Sequence, residues 1–133
     1  MIFERYKKLE KIALEEFGDI INESFVIFSF SGRARKLRLK LVDKTFVDIW
    51  TSIAGEYSFH WEQRGIRNGI YRHDNAPHKK WRNIKTFPKH CHDGAQGHVV
   101  ESYIADEPEN GISDFLFIVR ERLIENNITS TSQ

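Results

Sequence analysis

Lys36-Leu37-Arg38-Leu39-Lys40-Leu41 alternates cation and leucine, and a strand turns that period of two into one apolar face and one basic face. On a helix the same leucines would scatter around the axis. The stretch is bounded by Ser31-Gly32 on one side and Asp43-Lys44 on the other, both turn chemistry. Upstream, residues 24–30 (Ser24-Phe25-Val26-Ile27-Phe28-Ser29-Phe30) are β-branched and aromatic and form a first strand. Downstream, Thr45 to Ile53 forms a third. Tyr57, Phe59 and Trp61 alternate with Ser58, His60 and Glu62 in a fourth. Asn68-Gly69 suits a type I′ hairpin into a fifth strand over 70–74. A long loop over 75–85, extended pieces at 86–92 and 98–103, and acidic turn residues 106–111 complete the middle of the chain. Strands joined by short turns make an antiparallel meander.

Helical spacing flanks this block. Phe3, Tyr6, Leu9, Ala13 and Phe17 fall on one stripe of a helix over residues 3–17, with Gly18 as its stop. Ser113 reads as the N-cap of a last helix ending near Asn126, with Ile112 stapled to Phe117 and a core face of Phe115, Leu116, Val119 and Leu123. The tail from Thr129 to Gln133 is expected to fray. The predicted class is α+β, a twisted antiparallel sheet of five to seven strands packed against an N-terminal and a C-terminal α-helix. One domain over residues 1–133 is expected, since 40% hydrophobic residues in 133 supply one ordinary core.

Composition narrows the function classes. A mean hydropathy of -0.52 and 29% charged residues exclude collagen-like and low-complexity chains. The longest apolar run, Phe115 to Val119, is far below the roughly 20 residues of a membrane span. No secretory leader is legible at the N-terminus, and Cys91 alone permits no internal disulfide. A cytoplasmic protein with no membrane association is expected.

The formal charge of +1 conceals segregation. Residues 64–92 hold eight Lys or Arg against Asp74 alone, residues 33–40 hold five cations, and residues 93–133 hold eight acids and two bases. A polyanion is the natural partner for the middle of the chain. Lys36, Arg38, Lys40, Lys79, Lys80, Arg82 and Lys89, with Trp81 to stack on a base, are the candidate nucleic-acid contacts.

All six histidines fall within residues 60–98, interleaved with these cations. Three segments concentrate them: Tyr57-Ser58-Phe59-His60-Trp61, then Arg72-His73-Asp74-Asn75-Ala76-Pro77-His78, then Thr86-Phe87-Pro88-Lys89-His90-Cys91-His92. In these motifs the chain resembles the TumE family, small toxins of prokaryotic toxin-antitoxin loci, whose pattern is an aromatic strand, Arg-x-Asp-Asn-Ala-Pro-His, and Thr-Phe-Pro-x-His-x-His. Lys79 stands where the family often carries a second histidine. The resemblance implies a cytoplasmic toxin neutralised by a cognate antitoxin, commonly a helix-turn-helix protein. It leaves the target open.

The residues themselves point to RNA. Cleavage without a metal needs a base for the 2′-hydroxyl proton, an acid for the departing 5′ oxygen, and cations for the charge that builds on phosphorus. His78 with either His90 or His92 supplies the acid/base pair, Arg72 the phosphate clamp, Asp74 the orienting carboxylate, and His60 a reserve imidazole. The expected function is therefore a metal-independent ribonuclease toxin that needs no cofactor. On extended strands Arg72 shares a face with Asp74, and His90 with His92. Arg72 and Asp74 can equally form an ion pair that merely holds the loop, Asn75-Ala76-Pro77 reads as turn architecture, and Cys91 should point away from its flanking histidines. Two rivals stand beside this reading. One is a metal-dependent nuclease in which His90 and His92 join His78 or Asp74 as ligands. The other is a toxin that grips nucleic acid and acts by occlusion. Nothing in the sequence excludes a homodimer.

Overall fold

The computed structural model describes the backbone of residues 1–131. Helix α1 spans Ile2–Phe17 and is followed by seven strands: β1 Ile21–Phe28, β2 Ala34–Leu41, β3 Phe46–Thr51, β4 Tyr57–Glu62, β5 Ile70–Asp74, β6 His90–Asp93 and β7 Val99–Glu101. A single 3-10 turn, Lys79–Trp81, interrupts the long β5–β6 connection, and helix α2, Pro108–Thr131, closes the chain. The strands pair antiparallel in sequence order from β1 to β7, so the sheet is a meander and the fold is α+β. None of the described helices is long and apolar enough to cross a membrane.

The two faces of the sheet separate by alternation. Leu37, Leu39 and Leu41 of β2, Val47 and Ile49 of β3, and Tyr57, Phe59 and Trp61 of β4 all point to one side and are buried. There they meet Tyr6, Leu9, Ala13 and Phe17 of α1 and Ile112, Phe115, Leu116, Val119 and Leu123 of α2 in one apolar cluster. Phe115 stacks on both Phe59 and Tyr71, with centroids 5.6 and 5.4 Å apart. Polar groups tie the structure together: Trp61 Nε1 donates to Thr45 Oγ1 at 2.8 Å. The Tyr6 hydroxyl donates to the Arg35 carbonyl at 3.0 Å and accepts from the Thr51 amide at 3.1 Å, joining α1 to β2 and β3. Because both helices cover the leucine face, the opposite face of the sheet is left without a helix on it.

Several boundaries differ from the sequence expectation: the extended piece expected at 86–92 is strand only from His90, because residues 85–88 form turns. The first strand covers residues 21–28, and Phe30 lies beyond it, fully exposed. Asn68-Gly69 does not close a two-residue hairpin: the β4–β5 connection runs over 63–69, with the Arg67 amide donating to the Gln63 carbonyl. Gly69 is instead required by a close approach, since it has φ +116° and a Cβ there would lie 2.9 Å from the Gly94 carbonyl oxygen.

The last helix begins at Pro108, so Ser113 is not its N-cap and Ile112 does not staple Phe117, which is exposed. Pro108 sits where a helix has no use for an amide proton. Asn110-Gly111 looks like a turn in sequence, yet Gly111 lies in the helix, where a Cβ would press against the Ala105 carbonyl at 2.8 Å and the Phe59 ring at 3.3 Å, so close packing requires the glycine. Ser113 donates to Glu16 of α1, and Asp114 accepts from the Ala105 amide, fastening the turn before the helix. Of the tail expected to fray, the backbone through Thr131 is helical, while Ser132 and Gln133 lie outside the described residues.

Tyr6→Phe should cost about 1–3 kcal/mol, because it leaves the buried Thr51 amide without its acceptor. Urea unfolding of both proteins would check this, and a change within about 0.5 kcal/mol would remove the hydroxyl as a link between helix and sheet.

Candidate functional site

The helix-free face carries the polar members of each strand, and the register sets their neighbours. Asp48 of β3 lies opposite His60 of β4, His60 opposite Arg72 of β5, Arg72 opposite His92 of β6, and Asp74 opposite His90. Residues far apart in sequence thus form one row across four strands. The β5–β6 connection folds back over the end of this row and places His78, Lys79, Lys80 and Trp81 along one wall. The result is an open cleft of about 890 Å³, lined also by Lys36, Phe46, Trp50, Ser58, Gln96 and Gly97.

Arg72 is held on three sides. Its Nε donates to Asp74 Oδ2 at 3.1 Å, Nη2 donates to Gln96 Oε1 at 2.7 Å, and Nη1 lies 3.5 Å from His60 Nδ1. The His60 Nε2 lies 3.2 Å from Glu62 Oε1, and because a carboxylate can only accept, that ring proton sits on Nε2 and Nδ1 faces Arg72. Burial lowers the His60 pKa, opposed by Glu62. Hydrogen bonds from Arg64 hold the Glu62 carboxyl down at about 2.

Asp74 forms the floor. Its Oδ1 accepts from the Ala76 amide at 3.0 Å, the Asx turn that begins the Asn-Ala-Pro bend. Asn75 accepts from the Tyr57 amide and donates to the Gly55 carbonyl, so the bend is stitched to the β3–β4 turn. Both β6 imidazoles face Asp74: His90 Nε2 is 3.1 Å from Oδ1 and His92 Nε2 is 3.7 Å from Oδ2. Each ring is anchored from behind, His90 Nδ1 donating to the Pro88 carbonyl at 2.8 Å and His92 Nδ1 to the Gln96 carbonyl at 2.7 Å. Trp81 lies across them, its ring 6.2 Å from His90 and 5.7 Å from His92. Burial lowers the His92 pKa, in part offset by the Gln96 carbonyl.

The expected site residues therefore separate into groups. Arg72, Asp74, His60, His78 and His92 line one cleft with Lys36, Lys79, Lys80 and Trp81. His90 is adjacent but wholly buried, beyond the reach of a substrate, and so is unsuited to be an acid or base acting on one. Arg38 and Lys40 share the open face without lining the cleft, and the charge of the basic stripe is partly offset. Lys36 lies 2.8 Å from Asp48, and Arg38 donates to both Asp48 oxygens at 2.8 and 2.9 Å while stacking on Phe46. Burial raises the Asp48 carboxyl, but those hydrogen bonds outweigh it and hold it below the ordinary aspartate range.

Arg82 lies outside the cleft, donating to the Lys79 carbonyl. Lys89 points the other way, to the Ile104 carbonyl and Asp106, because it alternates with His90. Lys79 and Lys80, by contrast, pair with no carboxylate among the described residues. Gln96 and Glu62 are the contributors that residue type did not mark. Glu62 shares its face with His60 by alternation, whereas Gln96 carries no such signal.

The reverse face of β5 and β6 holds His73 and Cys91. His73 is buried between the Tyr71 hydroxyl at 2.6 Å and Ser102 Oγ at 2.7 Å, and burial pulls its pKa down to about 4. Cys91 points into the core, as its alternation with the two histidines requires, and burial pushes its thiol up to about 12.

Residues 10–123 match the family described as Toxin TumE, which makes this protein a toxin. The chain belongs to the TumE family. No curated protein and no solved structure matches it.

Cys91 should resist iodoacetamide at pH 8 in the native protein and react once the chain is unfolded in guanidinium, as read by intact mass. Stoichiometric labelling of the folded protein would contradict its place in the core.

Proposed function

We propose that this toxin acts in the cytoplasm on RNA, cleaving a phosphodiester laid in the cleft between Trp81 and the β4–β6 row, and that a cognate antitoxin, of the helix-turn-helix kind its family suggests, neutralises it. The observation that carries the reading is the convergence of Arg72, His60 and His78 on one open cleft with an aromatic wall. Arg72 is the phosphate clamp, pre-oriented by Asp74 and Gln96 so that little freedom is lost on binding. His78, exposed on the wall, and His60, whose ring is oriented by Glu62, are the proton-transfer groups. Lys79 and Lys80 supply uncompensated positive charge along the path of the strand. Trp81, on the cleft wall, offers an aromatic ring on which a base can stack while it covers the β6 imidazoles.

The acid/base pair thus differs from the sequence expectation. His60 moves from reserve to participant, because burial removes His90 from contact with substrate and His92, itself buried, turns its Nε2 to Asp74.

Induced expression of wild type and His78→Ala, with sequencing of RNA 5′ ends, tests this. Wild type should generate new ends, and the variant should lose about a hundredfold or more of that cleavage while staying folded. Growth arrest without new ends, insensitive to His78→Ala but relieved by Lys79→Glu/Lys80→Glu, would replace cleavage by occlusion.

A further inference from the structure

Of the groups in the cleft, the pair of β6 imidazoles is the least explained by acid–base chemistry. His90 is wholly buried, and its Nε2 has no hydrogen-bond partner. Its other nitrogen must carry the proton, since the Pro88 carbonyl it meets at 2.8 Å can only accept. In the neutral ring Nε2 therefore carries a lone pair beside Asp74 Oδ1, two acceptors 3.1 Å apart in a geometry that makes no hydrogen bond between them. His92 repeats the arrangement one strand step along: Nδ1 donates to the Gln96 carbonyl, and Nε2 turns to Asp74 Oδ2 at 3.7 Å. One donor atom from each of Asp74, His90 and His92 lies within 4.8 Å of the others. Two imidazoles fixed from behind by backbone carbonyls, with bare Nε2 atoms converging on one carboxylate, are built as ligands for a cation.

We propose that Asp74, His90 and His92 form a binding site for one divalent first-row transition metal ion. The donor set, two imidazoles and one carboxylate, favours Mn²⁺, Co²⁺, Ni²⁺ or Zn²⁺ over Mg²⁺ and Ca²⁺, which prefer all-oxygen shells. Three ligands from one side leave further positions open toward the cleft, where His92 and Asp74 meet Arg72. Oxygen ligands, water or a phosphate oxygen, fit those positions beside the guanidinium. Arg72, the Ala76 amide and the two carbonyls are the outer partners that hold the ligands in place. The site reverses the metal-free expectation drawn from the sequence and assigns His92 to coordination. His78 is excluded from it by position, because it stands on the cleft wall and not in the converging set.

The site stands on side-chain geometry and does not depend on the nuclease reading, so its test uses no RNA. Untagged full-length protein, stripped with chelator and dialysed, is titrated with Co²⁺ and Zn²⁺ by calorimetry, with the visible ligand-field spectrum of Co²⁺ as a second readout. One ion per chain is expected, with a rise in Tm on saturation. His92→Ala and Asp74→Asn, checked for folding by circular dichroism, should weaken binding about 100-fold or more, while His78→Ala and His98→Ala leave it unchanged. His92→Gln serves as the milder variant should either substitution unfold the chain, and the same loss is expected. Absence of Co²⁺ and Zn²⁺ binding to wild type, or binding that survives in the folded His92 variant, would overturn the assignment.

Discussion

The register that sets Arg72 between His60 on β4 and His92 on β6 is the constraint on which the whole site depends. Side chains alternate across a sheet, so a slip of one residue on β5 would send Arg72 and Asp74 into the apolar core and bring His73 to the open face. Burial prevents the slip. Tyr71 and His73 pack on Phe115 from behind, and His73 finds both its hydrogen-bond partners there. The core and the cleft are thus two faces of one decision: the residues that make β5 adhere to α2 are interleaved with those that serve the site.

The same interleaving divides the labour among charged groups. On β2 and β3 charge is partly offset, one carboxylate, Asp48, taking both Lys36 and Arg38, and at the end of β4 Glu62 takes Arg64. Lys79 and Lys80, beside Trp81 on the β5–β6 connection, bring positive charge to the cleft that no carboxylate among the described residues pairs. A rigid sheet therefore carries the converging groups, and a loop carries the groups that would follow a flexible polyanion. Where the loop crosses the sheet, Trp81 closes over His90 and His92 and keeps their shared space with Asp74 from opening fully to water. Low local dielectric there strengthens any charge placed among them.

Much of this was legible in the sequence. The leucine alternation of β2, the aromatic alternation of β4 and the apolar stripe of α1 each specify a period and a face, so the meander and its helix-covered side follow from pattern alone. Arg72 with Asp74, and His90 with His92, were placed on shared faces by the same rule, and Cys91 on the reverse. What pattern could not carry was cross-strand partnership. That Asp48 lies between Lys36 and Arg38 depends on the β2–β3 register, so a stripe that reads as basic has its charge partly offset. Gln96 reaches Arg72 from a turn with no marked composition. Local turn signals misled where tertiary contact overrode them, Gly69 serving the approach to Gly94 and Gly111 the packing against Phe59. The burial of His90 is likewise not legible, because its neighbours in sequence give no measure of how deeply Trp81 and the Pro88 carbonyl enclose it.

His90 and His92 are held from behind by backbone carbonyls, and their Nε2 lone pairs converge with the Asp74 carboxylate. Imidazole nitrogens report this directly in a long-range ¹H–¹⁵N correlation spectrum of metal-free, ¹⁵N-labelled protein at pH 8. Both rings should show a protonated Nδ1 and an unprotonated Nε2. A proton on Nε2 of either ring would mean that this nitrogen donates to Asp74 instead of presenting a lone pair, and the converging set of donor atoms at the floor of the cleft would not exist.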